Sequence, residues 1–232
     1  MKQALFCVAL IALTATVSVA SQRPYAPVTP EMLLDPSPDD WLMFSRTYDA
    51  QRFSPLDQIT TGNAGQLVEV WKNDLAPGTI EIIPLVHDGV MYLPVPVQVD
   101  GAGRTAVQAI DATNGEVLWQ YVRPNGGVSR AKTVALFEDL VVFAAPDNYI
   151  VALDARNGEV RWETESTGGL GSGAIVFGDQ VLTGRTCGGA RANCYVASHD
   201  ARTGEEQWRF YTAAGSDDPE GDASWGGAPE AT

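Results

Sequence analysis

His87 and His199 are the only two imidazoles in the 232-residue chain. Both sit beside strand and turn patterns, and no Ser-His-Asp set or metal cluster assembles around either one. His199 replaces a residue of a repeat described below and reads as a packed side chain. The cluster Gly168-Gly-Leu-Gly-Ser-Gly173 lacks the lysine of a phosphate-cradling loop and no helical pattern follows it, so nucleotide binding is not expected. Glu81 and Arg130 carry more information. Glu81 lies between Ile80 and Ile82 at the mouth of an apolar strand, where a carboxylate needs a partner. Arg130 sits just ahead of another strand, and its planar fork suits carboxylates. An edge charge and an ordinary surface arginine are the plain alternatives.

The elements that position these residues are repeats. Ala109-Ile-Asp-Ala-Thr-Asn-Gly-Glu-Val-Leu-Trp119, Ala152-Leu-Asp-Ala-Arg-Asn-Gly-Glu-Val-Arg-Trp162 and Ser198-His-Asp-Ala-Arg-Thr-Gly-Glu-Glu-Gln-Trp208 align without gaps. Their aspartates, Asp111, Asp154 and Asp200, recur at intervals of 43 and 46 residues, the length of a four-stranded propeller blade. Each copy reads as a hairpin. The Asp-Ala-x-Asn/Thr-Gly core is the turn, with Gly115, Gly158 and Gly204 at the position that needs positive φ. Trp119, Trp162 and Trp208 would each cap a blade and pack against its neighbour.

Between the repeats lie β-rich runs, Gly89–Leu93, Leu140–Phe143, Ala174–Phe177 and Gln180–Leu182, which supply the inner strands. Fourteen prolines and 23 glycines are scattered as turn punctuation, so the fold class is all-β, a partial β-propeller of about three to four four-stranded blades. Residues 29–34 are the one expected helix. The stretch from Trp41 to Trp71 ends in tryptophan but lacks the Asp-Ala-x-x-Gly turn, and is expected to be a ring-closing strand.

Residues 1–20 read as a signal peptide: Lys2, the apolar run Leu5 to Leu13, and a small-residue cleavage site at Ser18-Val19-Ala20. The apolar run is too short for a bilayer span, so no membrane span is expected after cleavage. This divides the chain into a leader at 1–20, an N-terminal extension at 21–39 and an incomplete propeller at 40–232. Export leaves Cys187 and Cys194 as a pair in an oxidising compartment, the periplasm, where a local disulfide is the natural inference. Two free thiols remain the alternative, and a metal site less so. With 45% hydrophobic and 19% charged residues the chain is globular in composition, and its net charge of −14 excludes an ordinary nucleic-acid binder.

The Trp-ended repeat, the segment Arg52-Phe-Ser-Pro-Leu56 and the strand Pro84-Leu-Val-His-Asp-Gly-Val-Met-Tyr92 resemble the PQQ (pyrroloquinoline quinone) dependent alcohol dehydrogenases of the methanol/ethanol type. The resemblance runs from about Asp40 to the end of the chain. It implies roughly the first third of an eight-bladed quinoprotein propeller, and an exported enzyme that oxidises primary alcohols. It implies PQQ as cofactor, a small alcohol as substrate and an electron acceptor such as a cytochrome c as partner. In the family the catalytic Asp, its neighbouring Asn and the ring-stacking Trp come from later blades. No catalytic residue is therefore assigned here, and the chain alone is expected to be inactive.

By the same resemblance, Glu81 in Glu81-Ile-Ile-Pro84 falls where the family's carboxylate reaches the quinone's edge, and Arg130 where its arginine pairs with a quinone carboxylate. Thr186 aligns with a hydroxyl residue that hydrogen-bonds the cofactor, and Ser172 adjoins a family threonine position that is Gly171 here. Gly189 stands at the family's first calcium ligand, a Glu; a glycine offers no side-chain oxygen, which speaks against calcium or another metal there. The family's adjacent-cysteine pair is absent, and Cys187 and Cys194 instead bracket Gly-Gly-Ala-Arg-Ala-Asn, so that a bridge would staple this loop. PQQ-like repeats also build quinone-free propellers that act as protein-binding scaffolds, and that is the alternative function.

Overall fold

The computed structural model describes residues 24–78, 80–125, 127–128, 132–167, 170–186 and 194–213. The leader, Arg130, Cys187 and Gly189 lie outside the described residues.

Among the described residues twelve strands form three four-stranded antiparallel meanders. The first sheet holds β1 (Leu85–His87), β2 (Val90–Val99), β3 (Ala102–Asp111) and β4 (Val117–Val122). The second holds β5 (Val134–Phe137), β6 (Leu140–Ala144), β7 (Tyr149–Asp154) and β8 (Val160–Glu165). The third holds β9 (Ile175–Phe177), β10 (Gln180–Arg185), β11 (Tyr195–Asp200) and β12 (Glu206–Tyr211). Burial follows position in the blade. All four residues of β5 are buried, as are Leu140 to Phe143 of β6, so they read as continuous apolar runs. The last strands β8 and β12 are mostly exposed and β4 is half exposed. The three sheets are consecutive blades of a partial propeller.

The repeat turn is built the same way three times. Gly115 N–H donates to Asp111 O at 2.8 Å, and Gly158 and Gly204 repeat the bond to Asp154 and Asp200 at the same distance. The aspartate Oδ1 accepts from the backbone N–H two residues on, at 2.9 Å in each copy. A register shift precedes each turn, between Ala109 and Ile110, Ala152 and Leu153, and Ser198 and His199.

The same turn also receives the tryptophan of the preceding blade. Trp119 Nε1 donates to Ala155 O at 2.9 Å and Trp162 Nε1 to Ala201 O at 3.1 Å. The ring lies on the turn glycine: a Cβ added at Gly158 would fall 2.6 Å from Trp119 Cε3, and one at Gly204 2.4 Å from Trp162 Cε3. Glycine is therefore required twice, by φ of +73° and +75° at these two positions and by the indole above them.

Trp71 belongs to this series. Its Nε1 donates to Ala112 O at 3.1 Å, and a Cβ at Gly115 would come within 2.7 Å of its ring. The segment read as a ring-closing strand has no strand partner among the described residues. Residues 67–71 make no ladder within the described residues, and Val68 and Val70 are 80% and 79% exposed. A strand needs a neighbour to pair with, whereas the tryptophan contact needs only the turn. Trp208, at the same repeat position on the third sheet, is 43% exposed.

Residues 24–48 run across all three blades. Val28 and Glu138 exchange backbone bonds of 2.9 and 2.8 Å, as do Trp41 and Val86 at 2.8 and 2.9 Å. Tyr48 Oη donates to Val176 O at 2.8 Å. The expected helix is present as α1 (Pro30–Leu34), capped by the Thr29 hydroxyl and anchored by Leu33, which is 1% exposed. His87 is buried here: Nε2 donates to Ala26 O at 2.7 Å, and Nδ1 faces Asp40 Oδ2 at 3.2 Å. Among the described residues no helix is long and apolar enough to cross a membrane.

Candidate functional site

The chain leads into each blade through a short segment just before its first strand, and these three segments lie side by side. Ile83 N–H donates to Lys132 O at 2.8 Å, joining the lead-ins of the first and second blades. Gly173 of the third lead-in presses on Thr133 of the second so closely that an added Cβ would sit 2.4 Å from Thr133 Cγ2. Between them opens a cavity of about 330 Å³. Its lining includes Glu81, Lys132 and Thr133, the β6–β7 turn at Pro146, and Ser172 and Thr186. This volume is at the lower end of the range for small-molecule sites.

Ser172 is placed by a local pairing. Leu170 bridges Arg185, and Gly171 N–H donates to Gly184 O at 3.1 Å, which extends the third sheet by a few residues beside β10. Ser172 Oγ then accepts from Gly184 N–H at 2.9 Å and donates to Gly184 O at 3.3 Å. Its proton is committed to the backbone, which leaves a lone pair for a ligand donor. Thr186 stands beside Gly171, where a Cβ would fall 2.7 Å from Thr186 Cγ2. The glycine cluster that lacked a phosphate-loop signature thus has a packing role: Gly171 and Gly173 let the third lead-in approach Thr186 and Thr133.

Glu81 and Lys132 face each other across the cavity wall, with Oε2 and Nζ 3.6 Å apart and side chains 42% and 43% exposed. A pair this long and this exposed contributes no more than about 1 kcal/mol. Among the described lining residues these are the two charges.

Three of the four residues expected to meet the cofactor, Glu81, Ser172 and Thr186, line this one cavity. Arg130, the fourth, lies outside the described residues, as does Cys187; Cys194 is buried at 2% exposure. Lys132, Thr133 and Pro146 were not singled out from sequence. Lys132 had a usable signal, because it is a second basic residue only two positions from Arg130 in the sequence. His199 is 2% exposed and packed between strands, as expected, and burial lowers its pKa from the ordinary value.

The donor set fits the edge of a planar, polyanionic ring system. Hydroxyls and one cation line the cavity, one carboxylate can accept a hydrogen bond, and Gly171 and Gly173 pack closely against Thr186 and Thr133.

Residues 36–226 match the family model PQQ_2, described as outer membrane protein assembly factor BamB. The chain is 34% identical over 198 residues to the quinohemoprotein alcohol dehydrogenase ADH-IIG of Pseudomonas putida, covering 78% of the chain and 26% of that relative. It is 32% identical over 227 residues to the dehydrogenase subunit of the quinone-dependent alcohol dehydrogenase of Komagataeibacter europaeus, covering 89% and 30%. The solved structure of the P. putida ADH-IIG superposes with a TM-score of 0.72 at 32% identity, over 83% of the chain and 30% of that structure. The chain spans between a quarter and a third of the length of these proteins. With its three matching blades and the lead-in cavity between them, the chain belongs to the PQQ_2 repeat family and is similar in sequence and fold to the PQQ-dependent alcohol dehydrogenases.

Proposed function

We propose that the chain is the N-terminal part of a periplasmic PQQ-dependent dehydrogenase of primary alcohols, which binds one side of the quinone and is inactive alone. The observation that carries this reading is the common cavity shared by Glu81, Ser172 and Thr186. Bound PQQ would supply the hydride acceptor for alcohol oxidation. In this reading Glu81 accepts a hydrogen bond from the quinone's edge, and Arg130 pairs with one of its carboxylates. Thr186 donates its hydroxyl to the ring system. Ser172, with its proton held by Gly184, accepts. Gly189 brings no side-chain oxygen, so a calcium ion would have to be held from elsewhere.

Residues 1–20 act as a cleaved leader in this proposal, and Cys187 and Cys194 form a bridge that stiffens the loop beside Thr186. A cytochrome c-type acceptor would receive the electrons in the complete enzyme. Free-thiol titration of the denatured, unreduced mature chain should find no thiol; two would remove the bridge.

The binding test is titration of the purified chain with PQQ, followed by quenching of tryptophan emission. Saturable quenching is expected in the wild type and its loss in Glu81→Gln and Arg130→Ala. A dye-linked assay with PQQ, calcium and short alcohols should show no turnover, and turnover would refute inactivity of the chain alone. The family description favours a second reading, a quinone-free scaffold for protein partners. That reading requires that PQQ does not bind at all.

A further inference from the structure

We infer that Arg185, which is not among the residues lining the cavity, is a positioning residue for the quinone: it fastens the third lead-in and so fixes where Ser172 meets the ligand. This rests on the quinone-binding reading of the same cavity. Three observations support it. First, the third lead-in, Gly168-Gly-Leu-Gly-Ser-Gly173, has four glycines in six residues, and glycine loses more backbone freedom on ordering than any other residue. A wall built from such a segment needs anchors outside itself. Second, Arg185 holds the segment at two points. Its backbone bridges Leu170, and its Nη1 donates at 2.6 Å to the carbonyl oxygen of Thr167, the residue just ahead of the segment. Third, both chain neighbours of Arg185 belong to the site. Gly184 N–H donates to Ser172 Oγ and Gly184 O accepts from it, while Thr186 lines the cavity.

Thr167 is gripped a second time from the third blade. Arg209 Nη1 donates to the Thr167 hydroxyl, and Arg209 is itself held: its Nε and Nη2 donate to the Glu206 carboxylate at 3.1 and 2.5 Å, and its guanidinium lies 4.1 Å from the centre of the Tyr195 ring. The Tyr195 hydroxyl lies 2.6 Å from Ser166 Oγ, and Ser166 N–H donates to Asn148 O at 2.7 Å, which ties the approach to the lead-in to the second blade as well. The far end is set separately, by Gly173 against Thr133. Among these residues Arg185 joins the two parts, because its guanidinium takes Thr167 and its backbone takes the stretch that carries Ser172. A guanidinium is always charged and donates from a rigid plane, so it keeps the carbonyl in place without any contribution from the ligand.

The test uses the full chain as wild type, Arg185→Met and Arg185→Lys, with PQQ and its trimethyl ester, which keeps the ring system and removes the carboxylate charges. Binding is read by tryptophan quenching. The seating of the lead-in is read by hydrogen exchange at the Gly171 and Gly184 amides, which donate to Gly184 O and Ser172 Oγ. Arg185→Met should weaken acid and ester alike, roughly ten-fold, and speed both exchanges about ten-fold while amides of the second sheet keep their wild-type rates. Arg185→Lys can still donate to Thr167 O and should recover most of the binding. A loss confined to the acid would mean that Arg185 meets the ligand's charge directly, and unchanged binding or exchange would mean that the lead-in holds without it. Either result overturns the positioning role and leaves quinone binding standing. Failure of the wild type to bind either compound would overturn the binding reading, and the role of Arg185 toward the quinone with it. If Arg185→Met also lowers the melting temperature, Arg185→Lys decides: recovered binding supports the role and its absence overturns it.

Discussion

The indole N–H of Trp119 donates to the carbonyl oxygen of Ala155 at 2.9 Å, joining the last strand of one blade to the turn of the next. Because Ala155 N–H donates to Asp139 O at 2.8 Å, the residue ties three elements together through its backbone alone. A methyl side chain, 2% exposed, is what the joint has room for. The indole N–H and the turn carbonyl are both buried, and the carbonyl also accepts from Tyr92 Oη at 3.3 Å, so two buried aromatic donors converge on one acceptor.

Gly158→Ala should therefore be costly for two reasons that add. Its φ of +73° is strained for any side chain, and the new Cβ would sit 2.6 Å from Trp119 Cε3. The expected loss is about 3 kcal/mol, read from urea denaturation. Trp119→Phe should lose about 2–4 kcal/mol, since it opens space and takes from the Ala155 carbonyl the shorter of its two donors, leaving only Tyr92 Oη at 3.3 Å. A Gly158→Ala variant as stable as wild type would show that the joint is looser than its geometry.

A second joint is ionic. Arg123, 5% exposed, donates through Nε to both Asp147 oxygens at 2.9 Å and through Nη1 to Glu163 at 2.7 Å and Tyr121 Oη at 3.1 Å. Its guanidinium also lies 4.8 Å from the centre of the Tyr149 ring. Arg123→Met removes the cation from two carboxylates, one of them only 13% exposed, and should cost about 3–5 kcal/mol. Adding Asp147→Asn should recover part of that loss, because it removes the buried charge the first change left unpaired. Chemical denaturation of the two single variants and the double variant measures the coupling.

The blade architecture was legible because it is repeated: three aligned turns placed three sheets, and the tryptophan spacing placed their joints. What was not legible depended on contacts between distant segments. Trp71 could not be recognised as one more joint because the segment before it lacks the repeat turn, and its partner Gly115 lies in the next blade. The long β2–β3 hairpin was missed because Pro94 and Pro96 argue against a strand, yet both lie beyond the end of β1, where no neighbour requires their N–H on that side. The cavity was half legible. Glu81, Ser172 and Thr186 came from resemblance, but Lys132, Thr133 and the close approach of Gly173 are properties of three lead-ins lying side by side, which no single segment reveals.

Stability should fall in two stages as the solution is acidified. Burial lowers the His199 pKa, so the folded chain holds this side chain neutral while the unfolded chain takes up a proton below about pH 6.5. The first loss therefore begins below that pH and grows down to the lowered folded value. Asp154 behaves differently: Arg156 donates to it at 2.8 and 2.5 Å and holds its pKa at about 2, against an ordinary 3.8. Its contribution is whole above pH 4 and disappears as the pH falls through about 2. Allowing for the exposure of Arg156 and Arg161, it amounts to about 1–2 kcal/mol. His199→Gln should flatten the first stage and Asp154→Asn the second, in melting curves collected across pH 2–7.5; a wild-type profile flat between pH 7 and 5 would contradict the His199 assignment.

Gly173→Ala tests whether the cavity depends on the close approach of its lead-ins. The added methyl would meet Thr133 Cγ2 at 2.4 Å and the Thr133 backbone N and O at 3.2 Å, and the backbone cannot yield as a side-chain tip can. The third lead-in must then move away from the second, carrying Ser172 with it, while β9 and β10 beyond it keep their own ladder. Quinone quenching should weaken roughly ten-fold or more, with at most about 1–3 kcal/mol lost from global stability. Thr133→Ser in the same background removes the methyl that clashes most closely, and should restore part of the binding. If Gly173→Ala bound PQQ like wild type, the site would have to lie away from this wall.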